Sequence, residues 1–114
     1  MVNHRTLDDV FGALSDPTRR RMIERLARGP LSIGELSDGL ELSQPGISKH
    51  VKVLEQAGLI RREIEGRVHR CSLEPKSIDA AAAWIDRQRR FWNATLDRLE
   101  TLLNATAKAK KERP

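Results

Sequence analysis

The sequence predicts a mainly α chain with a small β-hairpin, in the order α-α-α-α-β-β-α, and three observations predict it. Apolar residues recur at helical spacing through the first half, as in Leu7, Val10, Phe11 and Leu14 at i, i+3, i+4 and i+7. That spacing then gives way to β-branched residues alternating with charged ones in "LIRREIE" and "RVHRCSL", on either side of Gly66, the pattern of a two-stranded hairpin. Beyond Glu74-Pro75 a seven-residue spacing takes over, with Ile78, Ile85, Trp92 and Leu99 in one stripe that marks a long helix.

Each element carries its own punctuation. "TLDDVFGALS" forms the first helix. In "SDPTRRRMIERLARG", Asp16 is an N-cap, Pro17 occupies the first helical position where its missing N–H costs nothing, and Gly29 closes the end. Met22, Ile23 and Leu26 form the apolar face of this second helix. Ser32 and Glu35 spell the S-x-x-E capping box of a short third helix that ends near Gly39. A linker of about four residues precedes Ser43, which caps a fourth helix over about 43–57, with Pro45 tolerated in its first turn and Gly58 as its stop. Two short helices joined by a tight turn make a helix-turn-helix, and the hairpin over about 60–73 supplies a wing. The last helix runs from a Ser77 N-cap to about 104. At 1.5 Å per residue about 26 residues span about 39 Å, more than a body of this size covers, so its stripe is expected to meet a second copy.

Bulk composition narrows the function. At 114 residues the chain suits one domain, placed over 1–105, with a basic disordered tail over 106–114. No apolar run approaches the roughly 18 residues of a membrane span, and no signal-peptide apolar region opens the chain, so a cytoplasmic, nucleoid-associated bacterial protein with no membrane contact is expected. Two Trp, two Phe and no Tyr are too few for a surface that stacks single strands. The single cysteine, Cys71, excludes an internal disulfide framework and suits a reducing compartment. Net charge is +5, but Lys108, Lys110, Lys111 and Arg113 in the tail supply most of it against Glu112, so the position of the remaining charge matters more than its sum.

That charge gathers on the fourth helix and the wing. Opposite the apolar Ile47, Val51 and Leu54, the fourth helix offers Gln44, Ser48 and Lys52 in a line every four residues, with Lys49 and His50 beside them. Glutamine pairs bidentately with adenine in a major groove, serine bonds either edge, and lysine reaches guanine or phosphate. Ser43, Gln44 and Gly46 lie at the helix N-terminus, whose free N–H groups favour phosphate. Arg61, Arg62, Arg67 and Arg70, with His69, place guanidinium groups over phosphates or in a minor groove. The expected partners are a double-stranded DNA operator and a second copy of the chain, which meets the first through Leu7, Phe11, Ile78, Ile85, Trp92, Leu96, Leu99 and Leu103.

The stretch "LSDPTRRRMIERLARGPLSIGELSDGLELSQPGISKHVKVLEQAGLIRREIEGRVHRCSL" resembles the ArsR/SmtB group of bacterial winged-helix repressors, through its "DPTR" opening and its "LSQP-x-x-S-x-H-x-x-x-L-x-x-AGL" core. The resemblance covers roughly residues 6–103. It implies a homodimer bound to an imperfect inverted repeat, often near its own promoter, with the residues after Ser43 reading bases and the Gly66 hairpin as the wing. The chain departs from the group's metal sensors, which carry two cysteines where Ser32 and Gly34 stand here; serine and glycine do not bind a soft metal. Asp79, Asp86 and Asp97 in the last helix lack the histidine of the group's zinc site, so neither a metal nor any other cofactor is expected. Gly46 stands where many relatives place a side chain, which removes one base contact. The sequence names no effector.

Several residues keep two roles open. His50 lies beside Ile47 and Val51, as a boundary histidine satisfied by the backbone or as a phosphate contact, and His69 is divided in the same way. Cys71 is a small core residue, with a redox role as the minor alternative. Trp84, Phe91 and Trp92 suit dimer packing or, less well, an apolar effector pocket. Arg19, Arg20 and Arg21 form a surface patch, or Arg19 and Arg20 touch backbone phosphate from the start of the second helix. Among whole functions, a sequence-specific repressor is favoured over a protein-interaction module with incidental DNA binding. An enzyme is not expected, because no Ser/His/Asp set, carboxylate pair or phosphate-cradling loop occurs.

Overall fold

Asp16 and Pro17 open the helix that the N-terminal unit packs around. In the computed structural model, which describes residues 4–111 with side chains from Thr6 onward, the order is α1 (His4–Leu14), α2 (Pro17–Leu26), β1 (Leu31–Ser32), α3 (Ile33–Ser37), α4 (Gln44–Gln56), β2 (Ile60–Glu65), β3 (Val68–Leu73) and α5 (Pro75–Lys111). Asp16 is extended, and its carboxylate accepts the Arg19 N–H at 3.0 Å. From there α2 touches α1, α3, α4 and β3. Its Met22 and Leu26 are buried with Val10, Leu36, Val51, Leu54 and Leu59, each such side chain stabilising the fold by about 1.5–3 kcal/mol. Leu7, expected at a dimer contact, is only 6% exposed and belongs to this core instead.

The helix ends are closed by arginines. Arg19 donates to the carbonyls of Ala13 (2.7 Å) and Gly12 (3.2 Å), and Arg20 to that of Leu14 (2.7 Å), which satisfies the last turn of α1. These two side chains therefore cap a neighbouring helix rather than form the loose surface patch suggested by the sequence. Arg25 does the same for α3 through the carbonyls of Leu36 and Asp38.

The sheet has three antiparallel strands in the order β1-β3-β2, one more than the hairpin expected from the sequence. Leu31 pairs with Cys71 and Ser32 with Arg70. At two residues, β1 is too short to leave any alternating pattern. Ser32 also starts α3: its hydroxyl accepts the Glu35 N–H and its own N–H donates to the Glu35 carboxylate, the complete capping box.

Gly58 turns α4 into the hairpin. Its φ is +72°, its N–H donates to the Glu55 carbonyl, and the Leu59 N–H reaches back to the Leu54 carbonyl, a Schellman motif sealed by the buried pair Leu54 and Leu59. The hairpin itself closes on Gly66 and Arg67 between the paired Glu65 and Val68, with positive φ at Gly66 alone, as a II′ turn requires.

The final helix is longer than expected at both ends. It starts at Pro75 rather than Ser77, since proline fits a first helical position, and it continues to Lys111 rather than about 104. Residues 106–111, expected to be disordered, are helical. Alternating alanine and lysine favour the helix, and the lysines complement its C-terminal dipole. The rest of the expected tail, 112–114, and residues 1–3 lie outside the described residues. By its contacts the chain divides into two compact units, one ending at Ala81 and one beginning at Ala82. Among the described residues the second holds only α5 from Ala82 onward, the first turns of that helix belonging to the first unit. Among the described residues no helix is long and apolar enough to cross a membrane.

Candidate nucleic-acid interface

The polar face of α4 arises from its packing. Ile47, Val51 and Leu54 are buried, which turns Gln44, Ser48, Lys49 and Lys52 outward, and all four are exposed. Ser43 caps the helix by accepting the Gly46 N–H at 3.2 Å. A Cβ at Gly46 would lie 3.2 Å from that same hydroxyl, so glycine leaves the cap undisturbed while bringing no side chain to a base. Lys49 and Lys52 have no acidic partner within ion-pair distance among the described residues. His50 behaves differently. Its Nδ1 accepts from the Arg19 guanidinium at 3.2 Å and lies 3.9 Å from the Asp16 carboxylate, so it is turned toward the start of α2, satisfied by side chains rather than by backbone or phosphate. Asp16 is held below the usual carboxylate range, chiefly by the Arg19 N–H; burial opposes this and His50 reinforces it.

The wing arginines divide into three groups. Arg61 lies 3.5 Å from Glu63 and Arg70 3.6 Å from Glu65, so each has a carboxylate beside it in an exposed, weak pair on the hairpin. Arg62 lies on the other face, opposite the buried Cys71 in the ladder. It forms an ion pair with Glu55 of α4 and donates to His69 Nδ1 at 3.3 Å, while its Nε is buried without a partner among the described residues. Arg67, at the turn, has no acidic partner among the described residues. Of the arginines assigned to DNA from the sequence, Arg67 alone is unengaged; His69 and Arg62 hold each other.

A groove of about 460 Å³ brings the two elements together. It is lined by Gln44 and Ser48 from α4, by Arg62, Arg67, Val68 and His69 from the hairpin, and by Ser32, Ile33 and Gly34 at the start of α3. The α3 residues were missed as interface candidates: nothing in sequence spacing puts a capping serine beside a wing. Lys49, Lys52 and Arg70 are not among its walls.

Cys71 is fully buried, and burial pushes its thiol pKa up although Arg62 pulls it the other way. This fits a packed core residue. Among the described residues no group of three or more His, Cys, Asp or Glu side chains is placed to hold a metal ion. Along α5, Ile85 (42%), Trp92 (61%), Leu96 (53%), Leu99 (50%) and Leu103 (60%) are exposed, as are Phe91 and Leu102, whereas Ile78 is half-buried. Phe11 of α1 is 39% exposed.

Known proteins are similar to this chain in sequence and fold. Residues 14–63 match a family model described as a helix-turn-helix domain. The HTH-type transcriptional regulator Rv2034 of Mycobacterium tuberculosis is 37% identical over 92% of this chain and 95% of its own length. The transcriptional repressor SdpR of Bacillus subtilis is 32% identical over 69% of this chain and 88% of its own. Among solved structures, the ArsR family transcriptional regulator RHA00566 superposes with a TM-score of 0.77 at 37% identity, covering 81% of this chain and 95% of the other. With a winged helix-turn-helix fold, an outward polar face on its fourth helix and relatives matched over nearly their whole length, the chain belongs to the ArsR family of transcriptional regulators.

Proposed function

We propose that the protein is a homodimeric repressor that binds an inverted-repeat operator in double-stranded DNA, with α4 in the major groove and the wing against phosphate. One observation carries this: Gln44 and Ser48, able to read base edges, share a groove with Arg67, the wing arginine free of carboxylates. Lys49 and Lys52 add phosphate contacts along the same helix. Repression is supported by the names of several relatives, and a second copy by the exposed apolar stripe from Ile85 to Leu103. In a dimer each of these contacts occurs twice, one DNA turn apart. Binding near its own promoter follows from the family resemblance.

A second reading, in which the wing engages a protein, draws on the exposed Ile64 (65%) and Val68 (44%). Ile64 opposes His69 and Val68 opposes Glu65, so the two fall on opposite faces of the hairpin and do not join into one apolar patch. DNA is therefore the better partner.

Fluorescence anisotropy with a duplex from the gene's upstream region, against a scrambled duplex across a salt series, tests the proposal. A preference of roughly a thousandfold with a steep salt slope is the expected result. Equal, weak, salt-erased binding to both would leave α4 without a reading role.

A further inference from the structure

The side chain of Arg62 lines the groove and at the same time joins three elements. From β2 it reaches Glu55 in the last turn of α4 with Nη2, and His69 of β3 with Nη1. A planar guanidinium can make both links at once because its donors are fixed in a fork. The pair is half-buried, with the side chains of Arg62 at 25% and Glu55 at 32% exposure, so it is better shielded than the Arg61–Glu63 and Arg70–Glu65 pairs on the outer face. Shielding of this kind makes a charge pair specific in geometry, because either partner left alone would be a stranded charge. The base of the hairpin is also held by the Gly58 turn, by the apolar packing of Leu54, Leu59 and Ile60, and by the pairing of β1 with Cys71 and Arg70 of β3. The β1 pairing stops at Arg70, whereas the Arg62 guanidinium ends on His69, one residue nearer the Arg67 tip, and ties that position directly to α4.

We infer that Glu55, Arg62 and His69 form a clamp that sets the wing against the reading helix, so that Arg67 reaches phosphate while Gln44 and Ser48 face base edges. Arg62 and Glu55 are thus positioning residues, acting on DNA through Arg67. This rests on the proposed function above, specifically on Arg67 as a phosphate contact. A clamp of this kind supplies affinity by preorganisation: without it, ordering the hairpin becomes part of the cost of binding.

A double-mutant cycle separates positioning from simple stability. Wild type, Arg67→Ala, Glu55→Ala and the double variant are titrated into a random-sequence duplex of about 30 base pairs over a salt series, since a phosphate contact needs no operator. In the wild-type background Arg67→Ala is expected to lower affinity about tenfold at low salt and to flatten the salt slope by about one unit per lost contact. In the Glu55→Ala background the same change is expected to cost less than about twofold, because the wing is no longer held in place. Glu55→Gln, which keeps an acceptor for the guanidinium, should restore most of the Arg67 dependence. Alanine is a strong helix former, and thermal unfolding checks that the fold persists. Should Glu55→Ala fail to fold, Arg62→Lys replaces it, as one ammonium on a flexible stem does not reproduce the two-way fork. Equal loss from Arg67→Ala in both backgrounds overturns the clamp while leaving the wing contact intact. No loss from Arg67→Ala in the wild type overturns the wing contact itself, and the clamp with it.

Discussion

Replacing Gly58 by alanine measures how far the entry into the hairpin depends on a left-handed residue. At φ +72° an L-side chain costs about 1–2 kcal/mol. The new Cβ would also lie 2.7 Å from Ser77 Oγ but 3.8 Å from Ser77 Cβ, so the clash is with a hydroxyl that one χ1 rotation removes, at under about 1 kcal/mol. Against these, alanine reduces the freedom of the unfolded chain, returning about 0.4–1 kcal/mol. The net destabilisation is then about 1–2 kcal/mol. Urea unfolding followed by far-UV circular dichroism, at fixed protein concentration, should show a lower midpoint at unchanged m-value. Adding Ser77→Ala should return only the hydroxyl part of the loss. Full recovery in the double variant would refute the backbone argument, because sterics alone would then account for the cost. A single-variant loss under about 0.5 kcal/mol would refute it as well, since the Schellman geometry would not need a left-handed residue.

Four other outcomes follow from the same geometry. Gln44→Ala should cut discrimination between the upstream and scrambled duplexes by about tenfold or more, in keeping with about 1–3 kcal/mol for a bidentate base contact, and leave random-duplex affinity within about twofold; equal losses on both duplexes count against base reading. Trp92→Glu places a charge in the exposed stripe of α5, and sedimentation velocity should then show monomer at concentrations where the wild type is dimeric; an unchanged dimer would remove that face from the interface. Because Asp16 is depressed in the folded state, its stabilisation is present above the unfolded carboxylate value of about 3.9 and is lost as pH falls through the lower folded value. Asp16→Asn keeps a capping oxygen but should blunt the loss of stability below about pH 4, and identical acid denaturation of the two proteins would contradict this. Glu65→Gln frees Arg70 from an exposed pair, so stability should change by less than about 1 kcal/mol, while duplex affinity rises several-fold at low salt and returns to the wild-type value at high salt.

Local chemistry was the most legible part of the chain. Asp16, Ser32 with Glu35, and Ser43 cap the helices they announce, because a cap is a contact over three residues and leaves its mark within them. The outward face of α4 was equally readable, as Ile47, Val51 and Leu54 fix which side is buried. Non-local contacts were not. A strand of two residues such as β1 has no period to detect, and it forms only because Leu31 and Ser32 find Cys71 and Arg70 some forty residues later. Leu7 fits a dimer stripe and a core stripe equally well by spacing, and only packing decides between them. The end of α5 was misjudged because an alanine–lysine run serves a helix as well as a charged tail.

The wing makes the same point in terms of charge. Counted along the sequence, Arg61, Arg62, Arg67 and Arg70 make the hairpin look like the main cationic surface. In the fold, Glu63, Glu65 and Glu55 each take one arginine, and Arg67 alone is left to act on an anion. The unpaired positive charge of the interface therefore sits mainly on α4, at Lys49 and Lys52, with one guanidinium at the wing tip. Under the proposed function, phosphate attraction pulls hardest on the helix that carries Gln44 and Ser48, so the contact that supplies affinity would also draw the base-reading face into the groove. A wing with four free arginines would bind any duplex from its own side and compete with that docking. Pairing three of them would, under the proposed function, weaken the wing's own pull on phosphate and leave the register of the complex to α4.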